Sequence, residues 1–312
     1  MIQNQETMTI VVPVFNRPEL VVRCLDSLSA QTWRPIHIIV VDNGSTDDTA
    51  AAVGRWQAAN ESEGLSLELL SDPRRGAAYA RQTGLEHTLT DKVMFFDSDD
   101  VMRPDNVASV MEAWKSKPEA QLVVFPIVRH LAGAERPTHS ATGNLLERHL
   151  VHAILQTECF AVKTAWLRSV GGWRGEYPNW NDFETGTRIL LREPEVVAIS
   201  RPLADVYPQK ESITGVSFSA KAGLWEKSLD GIERSIKESG RKDIARLLNI
   251  VAYRRAVLAA CYAKEGRMDL AAPLCRQALR QVSATRRPLI RFAYHWTRLR
   301  LRGAFILVGP FL

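Results

Sequence analysis

Residues 93–105, "VMFFDSDDVMRPD", put four apolar side chains directly ahead of Asp97, Asp99 and Asp100, with Ser98 between the first two. Crowded carboxylates repel one another unless a proton or a cation holds them together. A hard divalent ion such as Mg or Mn takes oxygen ligands and keeps positions open for water or phosphate. Aspartates at the end of an apolar strand therefore suit a cation shared with a diphosphate. The same residues could instead cap the helix that follows.

Such a group must be held by the elements before it. "MTIVVPVF" and "IHIIVVDNG" are short runs rich in Val and Ile that end in polar or turn residues, as buried parallel strands do. Between them, "PELVVRCLDSLSAQ" repeats Leu20, Val21, Cys24, Leu25 and Leu28 at helical spacing. "DNGSTDD" leads into a second helix, with Ser45 or Thr46 as its expected cap and Asp47 and Asp48 in its first turn. A third strand, "SLELLSD", a third helix, "GAAYARQTGLEHT", and the acidic strand continue the alternation. It predicts a mostly parallel sheet covered by helices on both faces. Ligands of such sheets bind beyond the carboxyl ends of the strands, where Asn16, Asp42, Asn43 and the acidic group of Asp97 to Asp100 all fall. Past about residue 220 the pattern changes to helices alone.

At 312 residues, 46% hydrophobic and 24% charged, the chain reads as globular, with room for one catalytic domain and a smaller unit. The net charge of +5 is unevenly spread, with "TRRPLIRFAYHWTRLRLR" near the C-terminus and acidic residues gathered at 42–48 and 97–105. Cys24, Cys159, Cys261 and Cys275 lack the spacing of a zinc site or a disulfide framework, which fits a reducing compartment. The N-terminus has no basic region of the kind a signal peptide carries. No run reaches the ~18 to 20 apolar residues of a membrane span. A cytoplasmic protein is expected, with contact at the inner face of the cell membrane. Nucleic acid is not an expected partner, because nothing before residue 285 extends the basic stripe.

Taken in order, "TIVVPVFNRPELVVRCLDSLSAQTW", "IIVVDNGSTDDT", "RRGAAYARQTGL", "FFDSDDVMRPD", "GGW" and "NDFETGTRIL" resemble a family 2 glycosyltransferase of the GT-A fold, over roughly residues 8–217. The resemblance implies an α/β fold: a GT-A type mostly parallel sheet flanked by helices, with an all-helical C-terminal extension. The catalytic domain would span 1–220, with a nucleotide-sugar half at 1–115 and an acceptor half at 116–220, and the extension 221–312. Pro13, Phe15 and Asn16 would wall the nucleotide pocket, joined by Asp42, Asn43 and Ser98, with Asn43 in the place of an aspartate that reads the base. Arg75, or its neighbour Arg74, would contact the nucleotide. Asp97 and Asp99 match the DxD pair that holds Mg or Mn, Asp99 as the direct ligand and Asp97 beside it or on the ribose. Asp182, in "WNDFE", matches the general base. Its competing use is to cap the helix that follows.

The chemistry suits those residue types. A nucleoside diphosphate leaves only if its developing charge is neutralised, which a divalent cation achieves as a Lewis acid. The acceptor hydroxyl must lose its proton as it attacks, which a carboxylate in reach can take. One base on the far side of the sugar implies inversion in a single displacement. Three residues depart from the family pattern: Asn181 stands for a glutamate, Gln82 for an asparagine, and Lys210 for a histidine able to ligate the metal. Lys210 could meet the diphosphate as a point charge instead. Trp173 and Trp180 flank the base and are either plugs under the loop or platforms for the apolar face of a sugar.

The extension contains a helix, turn, helix stretch, 249–281, that resembles one tetratricopeptide unit. A single unit cannot bury its own face, so it is expected to pack on the catalytic domain. Residues 286–312 mix Arg with Trp, Phe, Tyr and Leu, as an interfacial membrane helix or a helix docking on an acidic partner would. The expected function is inverting transfer of a sugar from a nucleotide-diphosphate sugar to a hydroxyl of a glycan or lipid-linked glycan. Its rivals are a sugar nucleotidyltransferase and a degenerate transferase fold acting as a nucleotide-binding scaffold.

Overall fold

The computed structural model describes residues 6–131, 134–138, 143–207, 217–301 and 303–312. The chain starts with β1 (Met8–Val14), α1 (Pro18–Ser29), β2 (Ile36–Asp42), α2 (Thr49–Asn60), β3 (Leu65–Ser71), α3 (Ala77–His87) and β4 (Lys92–Phe95). After the acidic group come β5 (Val101–Met102), α4 (Asn106–Ser116), β6 (Leu122–Val124), β7 (Val128–Leu131) and β8 (Ala134–Pro137). The next elements are α5 (Leu145–His152), β9 (Phe160–Lys163), α6 (Thr164–Ser169), α7 (Asn181–Leu191), β10 (Val196–Ala198) and β11 (Ala204–Val206). Helices α8 (Leu224–Glu238), α9 (Ile244–Lys264), α10 (Met268–Gln281), α11 (Arg287–Arg298) and α12 (Ala304–Val308) follow.

The main sheet has the order β10-β6-β9-β4-β1-β2-β3, and a smaller one the order β5-β11-β7-β8. In the main sheet β4, β1, β2 and β3 run parallel, as do β10 and β6, and β9 alone runs against its neighbours. The expected mostly parallel sheet is therefore present, with one reversed strand spliced into its middle. Every residue of β1 is buried, as in a strand covered on both faces. Ile10 and Val12 pack with Val21, Cys24 and Leu25 of α1, while Val11 packs toward Leu85 of α3. The close seat of α3 needs Gly84, where a Cβ would come 2.3 Å from Val11 Cγ1.

One detail departs from expectation. Helix α2 begins at Thr49, later than Ser45 or Thr46 would cap, because those hydroxyls are taken up by Asn16. The helical extension is not a separate body. Its apolar residues, from Trp225 to Leu312, belong to one continuous core with Val11, Phe95 and Phe183. Arg246 of α9 pairs with Glu147 of α5 and Arg254 of α9 reaches Val151 O, so α9 packs on the α/β part of the chain, and α10 packs in turn on α9.

Candidate active site

The loops after β1 and β2 are laced together. Asn16, held at φ 50°, accepts the Thr46 N–H at 2.8 Å on its side chain and donates its own N–H to Ser45 Oγ at 2.9 Å. Asp42 Oδ1 accepts the Ser45 N–H at 3.1 Å. At the exposed mouth the Arg75 guanidinium lies 5.0 Å from the Phe15 ring centroid, a flat cationic platform of the kind a nucleotide base can stack on. Pro13 is buried within β1 and Ser98 within the turn after β4, so both support the mouth from below. Asn43 is buried, and its amide is spent on the next loop: it donates to Asp72 O and Arg74 O and accepts the Gly76 N–H at 2.7 Å. Its observed work is to clamp the loop that carries Arg75. Arg74 itself is tied to Asp72, whose carboxyl that guanidinium holds down at about 2.

Beyond β4 the carboxylates divide. Asp99 pairs with Arg17 at 2.7 Å. Asp97, Asp100 and Glu158 instead gather, one oxygen from each lying within 4.8 Å of the others. The expected metal pair, Asp97 and Asp99, stands next to this group, with Asp99 bound to Arg17 and still feeling the charge of Asp97. Burial pushes Asp100 up to about 8, with Asp97 and Asp99 adding repulsion, and its Oδ1 accepts the Tyr207 N–H at 2.9 Å. Burial and Asp97 likewise push Glu158 well above the carboxylate range. Asp97 goes the other way: burial opposes its charge, but the buried Arg81 guanidinium on its Oδ1 holds it low. Oxygen donors of this kind fit a hard divalent cation.

Arg81 also donates to Asn181 Oδ1 at 2.8 Å and lies 4.9 Å from the Trp173 ring centroid. One guanidinium thereby joins the acidic group to the first turn of α7, where Asp182 sits. The Asp182 carboxyl is half-buried, accepts the Phe183 N–H at 2.8 Å and is raised by burial, with Arg81 opposing. A raised carboxylate is closer to the proton affinity that base catalysis needs. Of the two uses open to Trp173, the structure shows the plug and not a contact open to a ligand: it is 2% exposed and meets Phe95 edge-on at 5.0 Å. Gln82 accepts its N–H at 2.8 Å. Trp180, half-buried at φ 50°, packs on Phe183 and Trp225 with the Arg254 guanidinium 5.1 Å from its ring. Lys210 lies outside the described residues. Glu158, Arg81 and Arg17 escaped the sequence reading, although Arg81 stands within "YARQTGL" and Glu158 immediately ahead of the apolar run "CFAV".

The family model for glycosyl transferase family 2 matches residues 9–171. The chain is 29% identical over 111 residues to the uncharacterized glycosyltransferase YibD of Escherichia coli (strain K12), covering 36% of this chain and 31% of that protein. It is 26% identical over 123 residues to the amylovoran biosynthesis glycosyltransferase AmsB of Erwinia amylovora, covering 38% and 40%. The match to the succinoglycan biosynthesis protein ExoW of Rhizobium meliloti (strain 1021) is 31% over 115 residues, covering 34% and 33%. The chain thus spans well under half the length of these relatives. Among solved structures, S. aureus TarS 1-349 in complex with UDP-GlcNAc superposes with a TM-score of 0.69 at 16% identity, over 95% of this chain and 92% of that one. The mannosyltransferase PcManGT from Pyrobaculum calidifontis, in complex with GDP-Man and Mn2+, does so with 0.53 at 21% identity, over 97% and 87%. At these identities the likeness speaks for the fold. A family match over more than half of the chain, on a fold of this kind, places the protein in glycosyl transferase family 2.

Proposed function

We propose that the protein transfers a sugar from a nucleotide-diphosphate donor to a hydroxyl of a glycan or lipid-linked glycan, with inversion. The observation that carries this reading is the Arg81 bridge, which sets the raised carboxylate of Asp182 beside the acidic group at the end of β4. Phe15 and Arg75 bind the base and Asp42 the ribose side, and Asp182 takes the acceptor proton. A divalent cation, Mg or Mn, would be held by the β4 carboxylates and would supply Lewis-acid neutralisation of the leaving diphosphate. The TarS and PcManGT complexes, with UDP-GlcNAc, and with GDP-Man and Mn2+, support a nucleotide-sugar donor and a divalent ion. The names of AmsB and ExoW support a polysaccharide product.

A nucleotidyltransferase would need a glycine- and arginine-rich loop after the first strand, and here β1 passes through Phe15, Asn16 and Arg17 directly into α1. A scaffold would have no use for a base with raised proton affinity. The test is calorimetric screening of UDP, GDP and their sugars with and without Mn2+, followed by NMR of the product's anomeric centre. Binding of a donor and an inverted product are expected. A retained anomer, or no donor bound by the folded protein, would refute the reading.

A further inference from the structure

We propose that Glu158 is a ligand of the divalent cation, so that Asp97, Asp100 and Glu158 seat the ion together. The inference rests on the metal-assisted reading above and names the residues that carry it. It starts from topology. Strand β9 pairs antiparallel with β4 in the register Lys92 with Lys163, Val93 with Val162 and Met94 with Ala161. Asp97 follows the end of β4, and Glu158 lies in the 3-10 turn Thr157–Cys159 that leads into β9, so the pairing of the two strands brings these flanking segments to the same end of the sheet. The turn that enters the reversed strand therefore brings the Glu158 carboxylate to the end of β4, beside Asp97 and Asp100.

Three observations then point to a cation. Oxygens of Asp97, Asp100 and Glu158 lie within 4.8 Å of one another, inside the span of one ion's ligand shell. Glu158 is 6% exposed and its Oε1 has no hydrogen-bond partner, a vacancy that buried carboxylates rarely tolerate. Asp99, by contrast, is neutralised already by Arg17 at 2.7 Å. With Arg81 on one oxygen of Asp97, the trio still keeps an unused oxygen donor in Glu158 Oε1, which a hard divalent ion can take.

The test is Mn2+ binding to the full chain, read from the electron paramagnetic resonance of free Mn2+ with UDP or GDP present. Glu158→Gln keeps shape and removes the charge. It should weaken Mn2+ binding by about tenfold or more, the scale on which metal-site partners act, while leaving the metal-free melting temperature unchanged. Asp99→Asn should bind Mn2+ within about threefold of wild type, well short of what loss of a ligand costs. Loss in both variants keeps Glu158 as a ligand and adds Asp99. Wild-type affinity in Glu158→Gln with loss in Asp99→Asn overturns the proposal and leaves the metal at Asp97 and Asp99. No Mn2+ bound by the wild type overturns the metal reading and this proposal with it. Where Glu158→Gln melts early, Glu158→Asp decides: a smaller loss of Mn2+ affinity than in Glu158→Gln supports ligation, and an equal loss refutes it.

Discussion

Asp182 and Arg81 set the terms at the scale of single residues. Replacing Asp182 with Asn preserves size and removes basicity, so donor binding should persist while kcat falls by ~10² to 10⁴. Equal loss of donor affinity and turnover would show that Asp182 only shapes the loop. Because burial raises the Asp182 carboxyl, the inactive protonated form persists to higher pH than for an ordinary aspartate. The acid limb of kcat/KM should accordingly lie above the ordinary value of about 4, and a limb at or below it would contradict the assignment. The acidic strand end was legible from residue type and order, and Asp182, which opens α7, from the order of the motifs. Glu158 was not, because its meaning depends on a pairing partner far away in sequence. Asn43 could be located but not understood, since only the folded loop shows where its amide points.

At the scale of elements, α5 and α7 are locked by His149. Its Nε2 donates to Phe183 O at 2.9 Å and its Nδ1 accepts the Leu155 N–H at 3.1 Å, an arrangement open only to the neutral ring. Burial lowers its pKa to about 4. The folded state thus binds its proton later than the unfolded chain, whose His titrates near 6.5. Its contribution is full above about pH 6.5, declines as pH falls and is gone below about 4, some ~3 kcal/mol in all. Unfolding by urea across this range should show that slope in the wild type and not in His149→Gln. Apolar runs and helical spacing made β1 to β4 and α1 to α3 readable, because those elements are local patterns. The start of α2 was misplaced because a tertiary partner, Asn16, claimed its expected caps. Helix α9 supplies a further support: Arg254 reaches Val151 O at 2.9 Å while lying over the Trp180 and Phe183 rings. Arg254→Ala should lower kcat through a loosened base loop more than it changes donor affinity, which single-turnover kinetics and calorimetry would separate.

At the scale of the molecule, the 286–312 segment has two faces. Ile290, Ala293, Tyr294, Ala304 and Val308 are buried in the common core, so removing the segment would bare the flank of α9. Leu299, Leu301, Ile306, Leu307 and Phe311 stay exposed, as do Arg287, Arg291 and Arg298, while Arg286 is half-buried and Arg302 lies outside the described residues. No helix among the described residues is long and apolar enough to cross a membrane. We propose that this outer face rests on an anionic bilayer, with ~1 kcal/mol from each arginine near the surface. Flotation with anionic vesicles should weaken as salt shortens the screening length below ~8 Å. Arg286→Glu, Arg287→Glu and Arg291→Glu together should abolish it without lowering the melting temperature. Protein that ignores such vesicles at low salt would make the face a partner's docking surface.

The reversed strand β9 has a consequence for how such a protein can be divided. It lies between β4 and β6, so the segments before and after residue 115 are stitched into one sheet and are not joined end to end. A fragment cut near residue 115 would leave β4 as a naked edge with Val93 and Phe95 uncovered, an invitation to aggregate. Exchange of donor specificity between relatives by swapping the first 115 residues should therefore yield insoluble chimeras unless β9 travels with them. On this topology the whole sheet, and not its first part, is the unit that can be exchanged.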